Sequence, residues 1–475
     1  MLRALYLLAS VGLSFYGVHA LIMLVLYWRN HPSPTEACRV PEADYPLVAV
    51  QLPVYNERYV VERLIDAAAA LDYPGDRLEI QVLDDSTDDT TQIAEARARH
   101  YREQGLHVQV IHRTQRDGYK AGALQAGLEH TTASYVAIFD ADFRPLPDFL
   151  QQTVAPFLTQ PDLAAVQVRW AHLNDIYSPL TRAQAILLDG HFGVEQAVRN
   201  WSGLLTCFNG SGGVWRRAAI EAAGGWQSDT MTEDLDLSYR AQLAGWRILY
   251  RPDVVAPAEL PAQMQAFKQQ QARWAQGSVQ CLRKLGGPIV RSRLSLGQKV
   301  MALWHLGAYL MHPLAVALLV LSLPLLIARQ SLPGTLTLLA LLSLFPPLLF
   351  ALSQTSLHDD WLRRFLYFPV VVLVGTGVAW STTRAISRGL LRWGGTFVRT
   401  PKFRIEGRQG TWAGTLYRLL PDRALVGELA LTAYAALGIA VAWLHGSYGA
   451  LPFLLLCGAG FGSVAAVGVF QAAHR

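Results

Sequence analysis

The chain has 475 residues, of which 52% are hydrophobic and only 16% charged, and its mean hydropathy is positive. That is too apolar for an ordinary soluble protein, so membrane spans must carry the excess, and the length allows two or three domains. The net charge of +5 is modest, and the basic residues gather between Arg363 and Arg423 among apolar stretches; that placement argues against a nucleic-acid patch and for a cytoplasmic membrane face.

Residues 4–28 form a first apolar stretch. It runs past the passable cleavage site Val18-His19-Ala20, and only Arg3 supplies a basic leading end, so it is read as an anchor (residues 1–30) rather than a cleaved signal. A polar, proline-containing linker follows at 31–44. From Tyr45 the pattern alternates: strands are expected at 47–52, 79–83, 108–111, 135–139 and 164–168, with helices at 57–71, 90–101, 120–129 and 147–157. This predicts a mostly parallel, Rossmann-like α/β sheet, wound on both faces, in a cytoplasmic domain over 45–293 that ends in amphipathic interface helices. Ligands of such sheets gather beyond the C-terminal strand ends.

Residues 294–475 read as a membrane bundle, with apolar stretches at 300–328, 334–352, 365–383, 424–444 and 450–470. The 365–383 stretch is flanked by Arg363, Arg364 and Arg384 and interrupted by Pro369. It is read as an interface or re-entrant helix within an interface or gating segment at about 361–423, which leaves five true spans; six is the alternative. The four cysteines (Cys38, Cys207, Cys281 and Cys457) are far apart, which supports neither a disulfide framework nor a zinc site.

Three acidic signals, Asp84-Asp85, Asp140-Ala141-Asp142 and Thr232-Glu233-Asp234, carry the chemistry, with flanking motifs beside them. Pro53-Val54-Tyr55-Asn56-Glu57 closes the first strand, where an aromatic ring and a carboxylate can meet a nucleobase. Asp84-Asp85-Ser86-Thr87-Asp88-Asp89 follows the second strand and suits a base or ribose contact through Asp84 or Asp85, or a helix N-terminus rich in Asp. Asp140-Ala141-Asp142 ends the fourth strand, so both carboxylates can converge. Close unpaired carboxylates are costly, and Mg²⁺ or Mn²⁺ bridging to a diphosphate would compensate them. Thr232-Glu233-Asp234 opens a helix and offers a general base for an acceptor hydroxyl, or only charges placed against the helix dipole. Gln270, Arg273 and Trp274 share one helix face. Arginine clamps a diphosphate, and tryptophan gives a flat surface for a sugar ring.

These motifs, with the stretches QVLDDSTDDT, GYKAGAL, YVAIFDADF, CFNGSGGVWR and QQQARWAQG, resemble the processive membrane-embedded family 2 glycosyltransferases, the relatives of cellulose, chitin and hyaluronan synthases. The nearer likeness is to the plant cellulose-synthase-like A and C groups, makers of β-mannan or glucomannan and of a β-glucan backbone. The resemblance implies a GT-A fold and inverting transfer from a nucleotide sugar, GDP-mannose or UDP-glucose. It assigns the donor to Pro53, Tyr55, Glu57, Asp84, Asp85, Lys120, Asp140, Gln270 and Arg273, and the metal to Asp140 and Asp142. It makes Asp234, beside Glu233, the base, and places Trp274, Asn209 and Gly210 at the acceptor. Phe143 stands where bacterial cellulose synthases often carry His, which puts a further metal ligand in doubt. Phe397–Lys402 loosely resembles the gating loop of cellulose synthases, with its order altered. The function expected is processive synthesis of a β-linked polysaccharide with export across the bacterial inner membrane. A glycolipid synthase acting on ceramide or diacylglycerol is the alternative, and a non-enzymatic export subunit is a third reading.

Overall fold

In a computed structural model, residues 1–31, 45–330 and 339–473 are described, so the expected linker falls almost wholly outside the described residues, as do Cys38 and the start of the 334–352 stretch. Seven strands form one sheet in the order β3-β2-β1-β4-β6-β5-β7. They are β1 (Val48–Val54), β2 (Leu78–Asp84), β3 (His107–His112), β4 (Tyr135–Ile138), β5 (Leu163–His172), β6 (Gly213–Arg216) and β7 (Arg247–Ala258).

The β1–β2, β2–β3, β1–β4 and β5–β7 pairings are parallel. β6 runs antiparallel to both β4 and β5, so the sheet is mixed, though mostly parallel as expected. Its two faces bury separate cores. Tyr135 and Ala137 of β4 pack on one side with Val50, Leu52, Val82 and Phe149. Val136 and Ile138 pack on the other with Leu124, Trp215 and Ile248. This is the alternation of a strand buried on both faces.

Register explains why the chemistry collects at one edge. Val54 pairs with Asp84 and Asp84 with His112, so the loops after β1, β2 and β3 leave the sheet side by side. Because β6 is antiparallel, its first residue, Gly213, pairs with Ile138 at the end of β4. The Asn209–Gly212 turn that precedes β6 therefore lies beside Asp140.

Among the described residues, five helices are long and apolar enough to cross a membrane: Leu2–Asn30, Ala308–Ile327, Leu339–Leu357, Ala424–Leu444 and Tyr448–Ala473. The stretch expected at 300–328 divides into a helix at Leu296–Leu306 and the span beyond it, with Gly307 O accepting from Tyr16 Oη at 3.1 Å at the break. The 365–383 stretch falls on a pair of helices, Trp361–Gly377 and Ala379–Leu391, bent by 42°. The second member packs along the 28-residue helix Met264–Arg291, with Arg283 Nη1 donating to Gly389 O at 2.7 Å and Gln280 Nε2 to Arg392 O at 3.0 Å. This interface helix joins the sheet domain to the membrane-like half, and the helix Pro179–Gly190 adds a second junction, with Asp189 accepting from Gln354 Nε2 at 3.0 Å.

Candidate active site

Asn56 opens the site at the end of β1. It takes a left-handed conformation (φ 55°) that Asn tolerates better than most residues. Its Oδ1 accepts from Thr87 N and its backbone N–H donates to Ser86 Oγ, both at 2.8 Å. These bonds tie the β1 loop to the β2 loop and hold Tyr55 near Asp85. Asp85 receives both arms of Arg113, at 2.7 and 2.6 Å. The Tyr55 ring, expected to meet a base, lies under the Arg116 guanidinium at 3.4 Å.

Asp84 departs from its expected place. It is the last residue of β2 and fully buried. Its oxygens accept from Ser86 N at 2.9 Å and Thr91 Oγ1 at 2.6 Å and meet His112 Nδ1 at 2.7 Å. Three donors within the protein hold both of its oxygens, so Asp84 shapes the loop that carries Asp85 and does not line the cavity.

After β4, Ala141 is buried while Asp140 and Asp142 turn to the cavity. Ser211 Oγ accepts from Asp140 N at 2.9 Å, which locks the acidic turn to the glycine-rich one. The two carboxylates are not left uncompensated, contrary to the sequence expectation. Lys120 Nζ lies 2.5 Å from Asp140 Oδ1, and Lys402 Nζ lies 2.5 Å from Asp142 Oδ2. Burial alone would lower the Lys120 pKa, but Asp140, Glu233 and Asp234 raise it, so this lysine stays charged. It also donates to Gly210 O at 2.8 Å and lies 4.0 Å from Glu233.

Gly210 has φ 79°, and a Cβ there would stand 2.8 Å from Asp234 Oδ2. Only glycine permits that approach. Asp234 sits in the first turn of the helix Glu233–Leu243. Burial raises its pKa to about 7, aided by Glu233 and opposed by Lys120 and Arg273. A carboxyl poised near neutrality is suited to taking a proton from a hydroxyl. Burial likewise raises Glu57 to about 8, against the pull of Arg399 and Lys402.

The interface helix is bolted to this acidic turn. Gln280 Oε1 accepts from Met231 N at 2.9 Å, and Lys284 reaches Asp236 at 3.0 Å. Gly277 lies so close that a Cβ would come within 2.5 Å of the Thr232 side chain. One turn or two back, Gln270, Arg273 and Trp274 reach the cavity. Arg273 stacks 4.9 Å from the Phe397 ring, while its Nε is buried with no hydrogen-bond partner among the described residues, as is Thr400 Oγ1.

The result is a cavity of about 140 Å³ that gathers Pro53, Tyr55, Glu57, Asp85, Lys120, Asp140, Asp142, Asn209, Gly210, Glu233, Asp234, Gln270, Arg273 and Trp274. Phe397, Arg399, Thr400 and Lys402 close one side of it. Sequence reasoning missed Arg113, Arg116 and Trp170. The first two follow β3, and a strand's C-terminal end was the available signal. A second cavity, about 390 Å³, opens behind the first. Trp170, Asn209, Thr232, Asp234, Gln270 and Trp274 line both.

Residues 46–277 match the family model described as "Glycosyltransferase like family 2". The chain is 45% identical over 255 residues to glucomannan 4-beta-mannosyltransferase 2 of Arabidopsis thaliana, covering 53% of this chain and 48% of that protein. It is 40% identical over 283 residues to glucomannan 4-beta-mannosyltransferase 1 of Oryza sativa subsp. japonica, covering 58% and 54%. The chain thus spans about half the length of the curated relatives it matches. A solved mannosyltransferase from Pyrobaculum calidifontis, in complex with GDP-Man and Mn²⁺, shares the fold with a TM-score of 0.54 at 23% identity, covering 82% of this chain and 99% of that one.

Proposed function

We propose that this chain, whose residues 46–277 match the model of the family 2 glycosyltransferases, moves a mannosyl group from GDP-mannose onto a growing β-linked polysaccharide. The observation that carries the reading is the position of Asp234 on the wall shared by two cavities, with lysine and arginine side chains lining one and aromatic rings the other. A base held there can take a proton from an acceptor hydroxyl entering from behind while the sugar is presented from the front, as one inverting displacement requires. The mannosyltransferase relatives, and the GDP-Man in the fold neighbour, favour GDP-mannose; nothing among them supports UDP-glucose.

Arg273, with its unpartnered Nε, and Lys120 would hold the diphosphate. Asp140 and Asp142 fit a hard divalent ion: each lysine engages one oxygen of its carboxylate and leaves the other available. No group of three His, Cys, Asp or Glu side chains forms a metal cage among the described residues. That suits an ion completed by phosphate oxygens, Mg²⁺ or Mn²⁺, which would offset charge on the departing diphosphate. Lys402 would then leave Asp142 for the phosphates, with Phe397–Lys402 as a lid on the cytoplasmic side of the inner membrane. The spans that follow give the product a route across it.

Purified protein in detergent, given labelled GDP-mannose or UDP-glucose with each metal, tests this. Transfer from GDP-mannose alone, abolished by EDTA without a shift in melting temperature, is the expected result, because no sheet contact depends on the ion. Full turnover in excess EDTA, or use of UDP-glucose only, would overturn the metal or the donor assignment respectively.

A further inference from the structure

The second cavity has a polar corner that none of the acidic motifs accounts for. Between the helices Pro179–Gly190 and Ala197–Trp201 the chain passes through a π-helical turn, His191–Gln196. Such wide turns are rare and recur at functional sites. This one brings His191 and Glu195 onto the cavity wall, with side chains 23% and 33% exposed, and neither lines the donor cavity.

Their hydrogen bonds form one consistent chain. Asn209 Nδ2 donates to His191 Nε2 at 3.0 Å, so Nδ1 carries the imidazole proton and faces Glu195 Oε2 at 3.4 Å. On its other side Asn209 Oδ1 accepts from Gln196 Nε2 at 3.0 Å, and its backbone N–H donates to Gln167 Oε1 at 2.8 Å. The orientation of the Asn209 amide, at the junction of the two cavities, is thereby set by the π-turn. Burial would raise the Glu195 pKa, but the His191 hydrogen bond, with Arg199 nearby, outweighs it and lowers it to about 2.

The rest of the wall tells what would sit there. Trp170, Phe192, Phe267, Trp274 and Tyr309 offer flat apolar faces, while Glu195 and Asp234 are carboxylates, and no lysine or arginine among the described residues lines the cavity. Aromatic faces with a few convergent acceptors suit a neutral, hydroxyl-rich ring. A phosphorylated acceptor would meet the Glu195 carboxylate with no lysine or arginine opposite.

We propose that His191 and Glu195 are acceptor-specificity residues: Glu195 accepts hydrogen bonds from hydroxyls of an uncharged sugar acceptor, and His191 holds Asn209 toward that sugar beside Asp234. The inference rests on the glycosyl-transfer reading above. It predicts a split between the two substrates that a purely structural role would not give.

The experiment measures kcat and KM for GDP-mannose and for a β-1,4-manno-oligosaccharide with the wild type, Glu195→Leu, Glu195→Gln and His191→Phe, in one detergent preparation. Glu195→Leu should raise the acceptor KM by about tenfold or more and Glu195→Gln by less, because the amide oxygen still accepts, while the donor KM stays within about twofold. His191→Phe should lower kcat with the donor KM unmoved, as Asn209 loses its orientation. An unmoved donor KM also reports a folded donor site in each variant. If the wild type transfers to the oligosaccharide and the variants keep its acceptor KM, this inference falls and the functional reading stands. If the wild type transfers only to a polyprenyl phosphate, both fall.

Discussion

Asp234 is basic near neutral pH because burial and Glu233 outweigh Lys120 and Arg273. The sign follows directly. A carboxyl raised to about 7 is protonated below that pH and cannot accept a proton, so kcat/KM should rise with pH through about 7 and level above it. Stability runs the other way. The folded state holds this proton across a window from the usual 3.8 to about 7, so the group's contribution favours folding at low pH and fades as pH rises through the window. Asp234→Asn removes the charge but keeps the shape. It should abolish transfer with no loss of melting temperature at pH 8, checked by a radiolabel assay beside a thermal melt. Retained transfer would remove Asp234 from the role of base. At this scale the sequence was largely legible, since acids spaced along strand ends announce themselves. Asp84 was not, because a buried carboxylate that satisfies Ser86, Thr91 and His112 reads in sequence like its cavity-lining neighbour Asp85. Nor was the pairing of Asp142 with Lys402, 260 residues apart in the chain.

Among the elements, the long helix Met264–Arg291 carries the most. It presents Gln270, Arg273 and Trp274 to the cavities, and Gln280 and Lys284 to the turn around Glu233 and Asp234. Close packing at Gly277 sets the spacing between them. Gly277→Ala should push the helix from Thr232, lower kcat by about tenfold and cost about 1–3 kcal/mol of stability, read by kinetics and a thermal melt. Unchanged kinetics would mean that the spacing is not critical. The five strands with clean apolar runs, β1 to β5, were legible from periodicity. β6 was hidden because four residues inside a glycine-rich run give no period to count. β7 was hidden because Arg251-Pro252-Asp253 interrupts its alternation, at the point where its register with β5 shifts. The π-turn of His191–Gln196 left no trace in the sequence pattern, since it is one extra residue per turn inside a helical run.

Across the whole molecule, the two cavities and the spans make one arrangement. The second cavity is lined in part by His305, Ala308, Tyr309 and His312, where the chain enters a candidate span, so this cavity opens beside the helices that could cross a membrane. Lys268 on the interface helix lies 2.5 Å from the buried Glu428 of the span Ala424–Leu444, which couples catalytic and membrane halves directly. The likeness to mannosyltransferases speaks for the sugar, while the arrangement of cavities and spans speaks for a polymer. Product analysis decides between a polymer and a single-sugar lipid most directly. Protein reconstituted in lipid vesicles should be given labelled GDP-mannose and the divalent ion, and its product sized before and after endo-β-1,4-mannanase. A long labelled chain that the enzyme reduces to short oligosaccharides is the predicted result. A product that migrates as a lipid bearing one sugar, untouched by mannanase, would contradict the account.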